Sequence, residues 1–549
     1  MPIVLLTLVG FVIRIWKIGY GLPDLNYVDE GRYVYQALNL GGGDLNPHNF
    51  VHPTLYFYLC FLGDALFILT ARLSGFLKTL GEAWDFYQRD PTVFYVIARG
   101  VSAIFGTLTI PLVYVIGLKL FNKKAGWISA FFLTFAFLHA QYSQVAIVDA
   151  TLTFLITLSF LFAVLAYQTG GLRYFMLMGL SVGLSASTKY SGLTALMLGP
   201  LALVLGAWDR GSNLFRERGG RKALLFFIFF GLGFTIGTPF WIIDFPGFKK
   251  DLLTFIGFYK VGGTGHLGYE GEWNWFYYLA NPLRYGLGFP LELAGWIGIL
   301  YLAVRVNPRN LLFVAFPLCF FLIAGFLEIR AARYIIPMIP FLCLGAAALV
   351  VGAVWRWASL RPAGIRQTSL VLALLSLILV FSSLTSLVRF HSLKMVPETR
   401  ILAYRWMSEN LPKDEKMLHS FWFYLRSTPK FPYSERLDST VFRTTLRNVS
   451  SLKTLEEYRR LGFRYLALDE WHLGTVLEGP RHKLRPERKE ARDRYEKFLE
   501  ELSHSAELLA VFSPYRSEGI PFDSENVDFA SRSLWKRTRL GPLIRIYRL

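Results

Sequence analysis

The sequence predicts a polytopic all-α membrane domain followed by a smaller α/β or α+β domain outside the bilayer. Three observations carry that prediction. Of the 549 residues, 53% are hydrophobic and 18% are charged, against about 25% charged in ordinary soluble chains. The apolar residues fall in blocks of the ~20 residues that a helix needs to cross a bilayer. From residue 390 onward the composition changes, and those 160 positions hold 22 of the 39 acidic residues. A soluble core would need many fully buried helices of spanning length to absorb the same blocks, so that reading is set aside.

Taken in order, the first span covers about 3–20. Its opening, MPIVLLTLVGFVIRIW, lacks a basic n-region and a clear cleavage site, and so reads as a span rather than a removed signal peptide. Further spans are expected at 93–118, 125–145, 150–167, 171–187, 191–207, 223–241, 288–304, 311–327, 333–355 and 368–387, about eleven in all. The stretch 52–75 is ambiguous, because it is apolar but carries Asp64 and Arg72. Basic loops decide its placement. Lys123 and Lys124 follow span two; Arg210, Arg216, Arg218, Arg221 and Lys222 follow span six; Arg305 and Arg309 follow span eight; Arg356, Arg361 and Arg366 follow span ten. With eleven spans and a cytoplasmic N-terminus, all four clusters face the cytoplasm. A spanning 52–75 would reverse them unless the N-terminus were outside. It is therefore expected as an interfacial or re-entrant helix within a long external loop, 21–92. Arg14 and Lys17 run against the trend, and snorkelling accommodates them.

A second external segment, 242–287, contains VGGTGHLGYEGEWNW. The division expected is 1–389 for the membrane domain and 390–549 for an extracytoplasmic soluble domain. In the latter, ETRILAYRWMSENL reads as a helix, and FRYLALDE and PLIRIYRL read as strands. The charged stretch RPERKEARDRYEKFLEELSHSAELL reads as a helix with Tyr495, Phe498, Leu499 and Leu502 on one side. The net charge of +19 is accounted for by basic loops near anionic lipid and does not call for nucleic acid. Cys60, Cys319 and Cys343 lie in apolar stretches and suggest neither a disulfide nor a metal ligand set. Asn448-Val449-Ser450 matches an N-glycosylation pattern that is common by chance.

Several charges sit at the outer ends of spans, where ionisable groups are costly and often functional. Asp29 and Glu30 follow span one in GLPDLNYVDEGRYVYQAL, and Asp149 stands in HAQYSQVAIVDATLTF. Lys189 lies in SASTKYSGL, Arg330 and Arg333 lie in EIRAARYIIPMIP, and Arg99 is early in span two. The plainer readings are a solvated loop for Asp29 and Glu30, a helix cap for Asp149, and ion pairing with Asp29, Asp149 or Glu328 for the bases. Their convergence on one face suits a lipid phosphate. A carboxylate activates an acceptor hydroxyl, and Arg and Lys stabilise charge on the departing phosphate.

The stretches VDEGRYVYQA, HPTLYFYL, ARGVSAIFGTLTIPLVYVIGLKLF, HAQYSQVAIVDATLTF, GLSASTKYSGL and ARYIIPMIPFL, spread over residues 20–345, together resemble the GT-C superfamily of membrane glycosyltransferases. The resemblance is to the protein O-mannosyltransferase branch (glycosyltransferase family 39) and its aminoarabinose transferase relatives. It implies transfer of a hexose or mannose-like sugar from a polyprenyl- or dolichyl-phosphate carrier to a protein, lipid or glycan acceptor outside the cytoplasm, with inversion. It implies that Asp29, with Glu30 beside it, supplies the catalytic carboxylate, and that Asp149 orients the acceptor or supports a divalent metal. Lys189, Arg330 and Arg333, with Arg99, Tyr334 and His52, fall in its carrier-phosphate and substrate region. The family often has a proline pair where this chain has only Pro53, after His52. His266 and Glu270 are acceptor-side or metal-side candidates among glycines that equally suit a flexible loop. No ligand spacing assigns a metal.

Two other classes remain to be separated. A secondary transporter would show repeated halves and charges at mid-membrane; this chain has no evident repeat and its charges lie at span ends. A non-catalytic membrane assembly protein would tolerate replacement of Asp29.

Overall fold

The computed structural model describes residues 2–24, 27, 29–79, 81–261, 266–267, 273–327, 329–360, 365–420, 434–436, 452–470, 477, 481–484, 486–520 and 530–549. The helical part comprises α1 (Pro2–Ile15), α2 (Glu30–Leu40), α3 (Leu55–Leu73), α4 (Gly81–Arg89), α5 (Thr92–Leu120), α6 (Lys123–Phe135), α7 (Phe137–Tyr142), α8 (Asp149–Thr169), α9 (Leu172–Ala186) and α10 (Leu198–Asp209). It continues with α11 (Gly219–Gly237), α12 (Phe240–Ile243), α13 (Phe245–Val261), α14 (Asn274–Tyr278), α15 (Arg284–Leu287), α16 (Phe289–Ala303), α17 (Pro308–Phe326), α18 (Ile339–Leu360) and α19 (Ile365–Leu393). Short 3-10 segments, Tyr190–Met197 and Ala332–Met338, lead into α10 and α18.

Among the described residues, eight helices are long and apolar enough to cross a membrane, and nine if the bent pair 274–287 and 289–303 is one span. The chain is a multi-pass membrane protein. Pro2–Ile15 and Leu172–Ala186 are apolar but shorter, and the stretch expected as one span at 125–145 breaks at the extended residue Ala136 between α6 and α7. The expected eleven are thus not all full-length helices. Caps mark the turns: the Asn122 side chain accepts from the Ala125 N–H, and Asn307 accepts from Asn310 behind Pro308. Gly170, at φ 63°, closes α8 in the left-handed conformation that glycine adopts freely.

α3 meets the length and composition of a span, but its contacts run another way. Tyr56 donates to the Ala98 carbonyl at 2.9 Å, and Phe67 packs edge-on against Phe94 at 5.7 Å. From Tyr56 to Phe67 the helix advances roughly 16 Å, while the matching step on α5 is roughly 6 Å. The two helices cross steeply. The start of α3 is tied to the end of α9 by the Leu55 N–H on the Ser187 carbonyl. Beyond its other end, Phe76 packs on Phe86, which packs on Phe94. Both ends of α3 therefore meet the same end of the helical bundle.

Two ends of that bundle can be told apart by contact. At one, Gln168 donates to the Lys119 carbonyl, Arg210 donates to the Tyr167 carbonyl, and Lys124 lies 5.2 Å from the Trp355 ring. At the other gather the end of α1, the starts of α5 and α8, and the ends of α9, α11 and α19.

Beyond α19 lie α20 (Thr399–Asn410), α21 (Leu455–Arg460) and α22 (Pro486–Ser505). The strands are β3 (Lys416–His419), β4 (Ser434–Arg436), β5 (Phe463–Asp469), β6 (Glu507–Phe512) and β7 (Ile544–Arg548); β1 (His266–Leu267) and β2 (Ile329–Arg330) pair separately in the helical part. The five strands form one mixed sheet in the order β4-β3-β5-β7-β6. Period-two alternation on β5 divides its side chains between two cores. Tyr465 and Ala467 pack with Ala403 and Met407 of α20, while Leu466 and Leu468 pack with Tyr458, Tyr495, Phe498 and Leu502. α20, β5, β7 and α22 lie where the sequence reading put them. The helix ends at Ser505, however, and the residues after it form β6 rather than a further turn. Asn448-Val449-Ser450 lies outside the described residues.

Candidate functional site

Arg99, buried on α5, organises the segment between α1 and α2. Its Nε and Nη2 donate to the two Glu30 oxygens at 2.8 and 2.7 Å, and its Nη1 donates to the Ile18 and Tyr20 carbonyls at 2.7 and 3.0 Å. Glu30 also accepts from the Tyr27 and Ala146 N–H groups, both at 2.8 Å. Its side chain has no exposed surface. Glu30 was expected beside Asp29 as a catalytic acid and Arg99 as a carrier-phosphate ligand; both side chains are turned to each other in the interior. Each is saturated by the other and by backbone, which makes the pair a scaffold.

Asp29 is one residue away and faces the opposite direction, with 30% of its side chain exposed. It pairs with Arg333 at 2.9 Å, and Arg333 Nη1 also donates to the Tyr27 hydroxyl at 2.8 Å. Burial pushes the Asp29 carboxyl up, but Arg333, with His52, Arg32 and Lys189, outweighs it and holds the group below the usual carboxylate range. Burial, aided by Arg32, pushes His52 down to about 3. The neutral imidazole accepts at Nε2 from Arg32 Nη1 at 2.5 Å.

Asp149 is the first residue of α8 and is 2% exposed. Val148, not Asp149, holds the cap position of α8; the Asp149 Oδ1 accepts from Lys189 Nζ at 2.7 Å. Lys189 stands in extended backbone between α9 and the following 3-10 turn. Its ammonium lies 4.5 Å from the centre of the Tyr334 ring, and the Arg333 guanidinium lies 5.6 Å from the same ring. Tyr334 thus joins the Asp149–Lys189 pair to the Asp29–Arg333 pair. Arg330 is buried, with its guanidinium 4.5 Å from the Tyr277 ring. The backbone of His266 is opposite Arg330 in the β1–β2 ladder. Glu270 and Glu328 lie outside the described residues.

Asp29, Asp149, Lys189, Arg333 and Tyr334 therefore come together from four separate stretches of chain, with His52 at their edge. Tyr27, Arg32 and Tyr277 were not anticipated. The first two stand beside the acidic pair in NYVDEGR and were open to suspicion on that ground; nothing local marks Tyr277. Among the described residues no group of three His, Cys, Asp or Glu side chains could hold a metal ion. Asp29 and Asp149 each pair with a protein cation, and Glu270 and the His266 side chain lie outside the described residues.

Residues 61–248, about one third of the chain, match the family model of dolichyl-phosphate-mannose-protein mannosyltransferase. That span includes Arg99, Asp149 and Lys189 but not Asp29 or Arg333. No curated protein sequence matches the chain. Among solved structures, ArnT from Cupriavidus metallidurans bound to undecaprenyl phosphate is similar over 99% of this chain and 97% of its own, with TM-score 0.50 and 15% identity. Archaeal oligosaccharyltransferase AglB from Archaeoglobus fulgidus, in complex with an inhibitory peptide and a dolichol-phosphate, is similar over 85% of this chain and 69% of its own, with TM-score 0.51 and 15% identity. The A. fulgidus oligosaccharyltransferase with Zn and sulfate matches over 89% and 70%, with TM-score 0.51 and 13% identity. At these identities the likeness establishes the fold alone, one shared with ArnT and AglB.

Proposed function

We propose that the chain is a glycosyltransferase that moves a sugar from a polyprenyl- or dolichyl-phosphate carrier to an acceptor hydroxyl on a protein, lipid or glycan. The observation that carries this reading is the juxtaposition of Asp29 with Arg333 and of Asp149 with Lys189 around one tyrosine ring, on a GT-C fold. The family match and the lipid phosphates in the two neighbouring structures point the same way.

In this mechanism Asp29 accepts the proton of the acceptor hydroxyl as the oxygen bonds to the anomeric carbon. The bond from that carbon to the phosphate oxygen breaks, and its electron pair leaves with the phosphate. Lys189 and Arg330 stabilise the charge that builds there, while Arg333 keeps Asp29 ionised. Acceptor oxygen and leaving phosphate lie on opposite faces of the sugar, so the anomeric centre inverts. Asp149 holds the Lys189 ammonium in place and orients the acceptor. Glu30 and Arg99 fix the loop, and His52, neutral, positions Arg32. No step here is routed through a metal.

We place the site outside the cytoplasm, with a cytoplasmic N-terminus. Residues 1–389 form the transferase unit and 390–549 an extracytoplasmic domain. The test is transfer from defined polyprenyl-phosphate sugars by wild type and Asp29→Asn. The variant should lose roughly 100-fold or more in kcat, the scale of a missing general base. Equal activity in both would remove Asp29 from that role.

A further inference from the structure

The chain leaving α1 leads to Asp29, and four of its carbonyls are held by side chains from elsewhere. Arg99 takes Ile18 and Tyr20. Gln144 Nε2 donates to the Ile13 carbonyl at 2.9 Å. Lys394 Nζ reaches the Trp16 carbonyl at 3.5 Å and donates to Gln144 Oε1 at 2.5 Å. With both ends of its carboxamide engaged, Gln144 has one orientation. Lys394 is buried, and among the described residues no carboxylate pairs with it. A buried ammonium outside an ion pair is costly, so the oxygens that hold it in place matter.

Two residues beyond Gln144, the Ala146 N–H donates to Glu30; three further on is Asp149. On its other side Lys394 follows α19 directly and precedes α20 by four residues. The sheet domain docks at this same level. Arg389 donates to the Arg537 carbonyl, and Leu387, Phe390 and Leu393 of α19 pack with Leu534 and Leu540 and with Phe137 of α7.

We propose that Lys394 is a positioning residue: through Gln144 it ties the exit from α1 and the 143–149 turn to the docked C-terminal domain, which thereby sets the placement of Asp29 and Asp149. The C-terminal domain is then part of what holds the site in register, whatever acceptor it meets. The activity readout rests on the proposed transferase function; the structural readout does not.

The test uses the full chain in lipid nanodiscs, with Lys394→Met, Lys394→Arg, Gln144→Leu and the Met/Leu double variant. Amide hydrogen exchange is followed at Tyr27 and Ala146, whose N–H groups are held by Glu30. In Lys394→Met both amides should exchange about tenfold faster or more. kcat should fall roughly 10- to 100-fold with KM for the donor nearly unchanged, as expected of misplaced catalytic groups. Lys394→Arg should restore most of both. Gln144→Leu should match the Met variant, and the double variant should be no worse than either. Wild-type exchange and kcat in Lys394→Met, or additive losses in the double variant, would overturn the proposal. If Lys394→Met fails to fold, the uncharged Gln144→Leu decides by the same readouts. If wild type transfers no lipid-phosphate sugar, the transferase reading falls while the exchange rates still judge the tie.

Discussion

Asp29 and Glu30 are consecutive, yet one is fully covered and the other is open to the site. The turn into α2 aims one carboxylate at Arg99 and the other at Arg333. Only the second keeps an oxygen free for chemistry. Its acidity depends on the balance between burial, which raises it, and Arg333, the largest opposing influence. Arg333→Met should therefore raise the Asp29 pKa and move the acidic limb of the kcat/KM profile to higher pH, while Arg333→Lys moves it less. The linkage runs the usual way for a depressed carboxylate. The pair stabilises the fold above the ordinary aspartate range and that stability is lost as pH falls through the depressed value. An unmoved acidic limb in Arg333→Met would separate Asp29 from the base role. The acids and cations of the site were legible because ionisable residues at span ends demand a reason. What each does was not legible, since Glu30 and Arg99 differ from Asp29 and Arg333 only in burial, which follows from packing between distant segments.

The helical elements were legible from apolar blocks, but their internal breaks were not. Ala136 interrupts a block that stays apolar throughout, and the strand β6 follows a charged helix without a proline or glycine between them. α9 and α11 pack at close range through glycines. Gly179 and Gly183 stand four apart on α9, the spacing that lets membrane helices approach closely. A Cβ at Gly179 would lie 2.2 Å from the Phe226 carbonyl oxygen, and one at Gly183 would lie 2.2 Å from that of Phe230. Gly233 on α11 meets the Leu180 carbonyl at the same distance. All three obstacles are backbone and cannot swing aside. Gly183→Val should therefore push α9 and α11 apart and cost about 1–3 kcal/mol, seen as a lower thermal unfolding midpoint in detergent. Because Lys189 lies three residues past the end of α9, the same variant should weaken transfer. An unchanged midpoint would mean that the two helices are not held this closely.

At the scale of the whole molecule, the two ends of the bundle differ in how their cations are used. At the site end Arg99, Lys189 and Arg333 are engaged by carboxylates, and Lys394 is engaged by amide and carbonyl oxygens. Bases bound in this way say little about which leaflet they face. At the other end Arg216, Arg218 and Arg305 are exposed, and exposed bases near span ends are those that bias orientation toward the cytoplasm. The bundle should therefore sit with the site facing outward, and its contacts permit a direct check. Asn39 on α2 is exposed at the site end, and Arg216 is exposed between α10 and α11. Cys60 and Cys343 are buried, and Cys319 is partly so; replacing Cys319 with serine leaves a quiet background. In that background a membrane-impermeant maleimide applied to intact cells should label Asn39→Cys, and should label Arg216→Cys only after permeabilisation. The reverse pattern would turn the molecule over and place the donor's phosphate in the cytoplasmic leaflet. Labelling at Gly75→Cys, just past the end of α3, adds the element that sequence left ambiguous. Both ends of α3 meet the site end of the bundle, so Gly75→Cys should follow Asn39→Cys. Protection of Gly75→Cys on intact cells, with Asn39→Cys labelled, would instead make α3 a crossing helix.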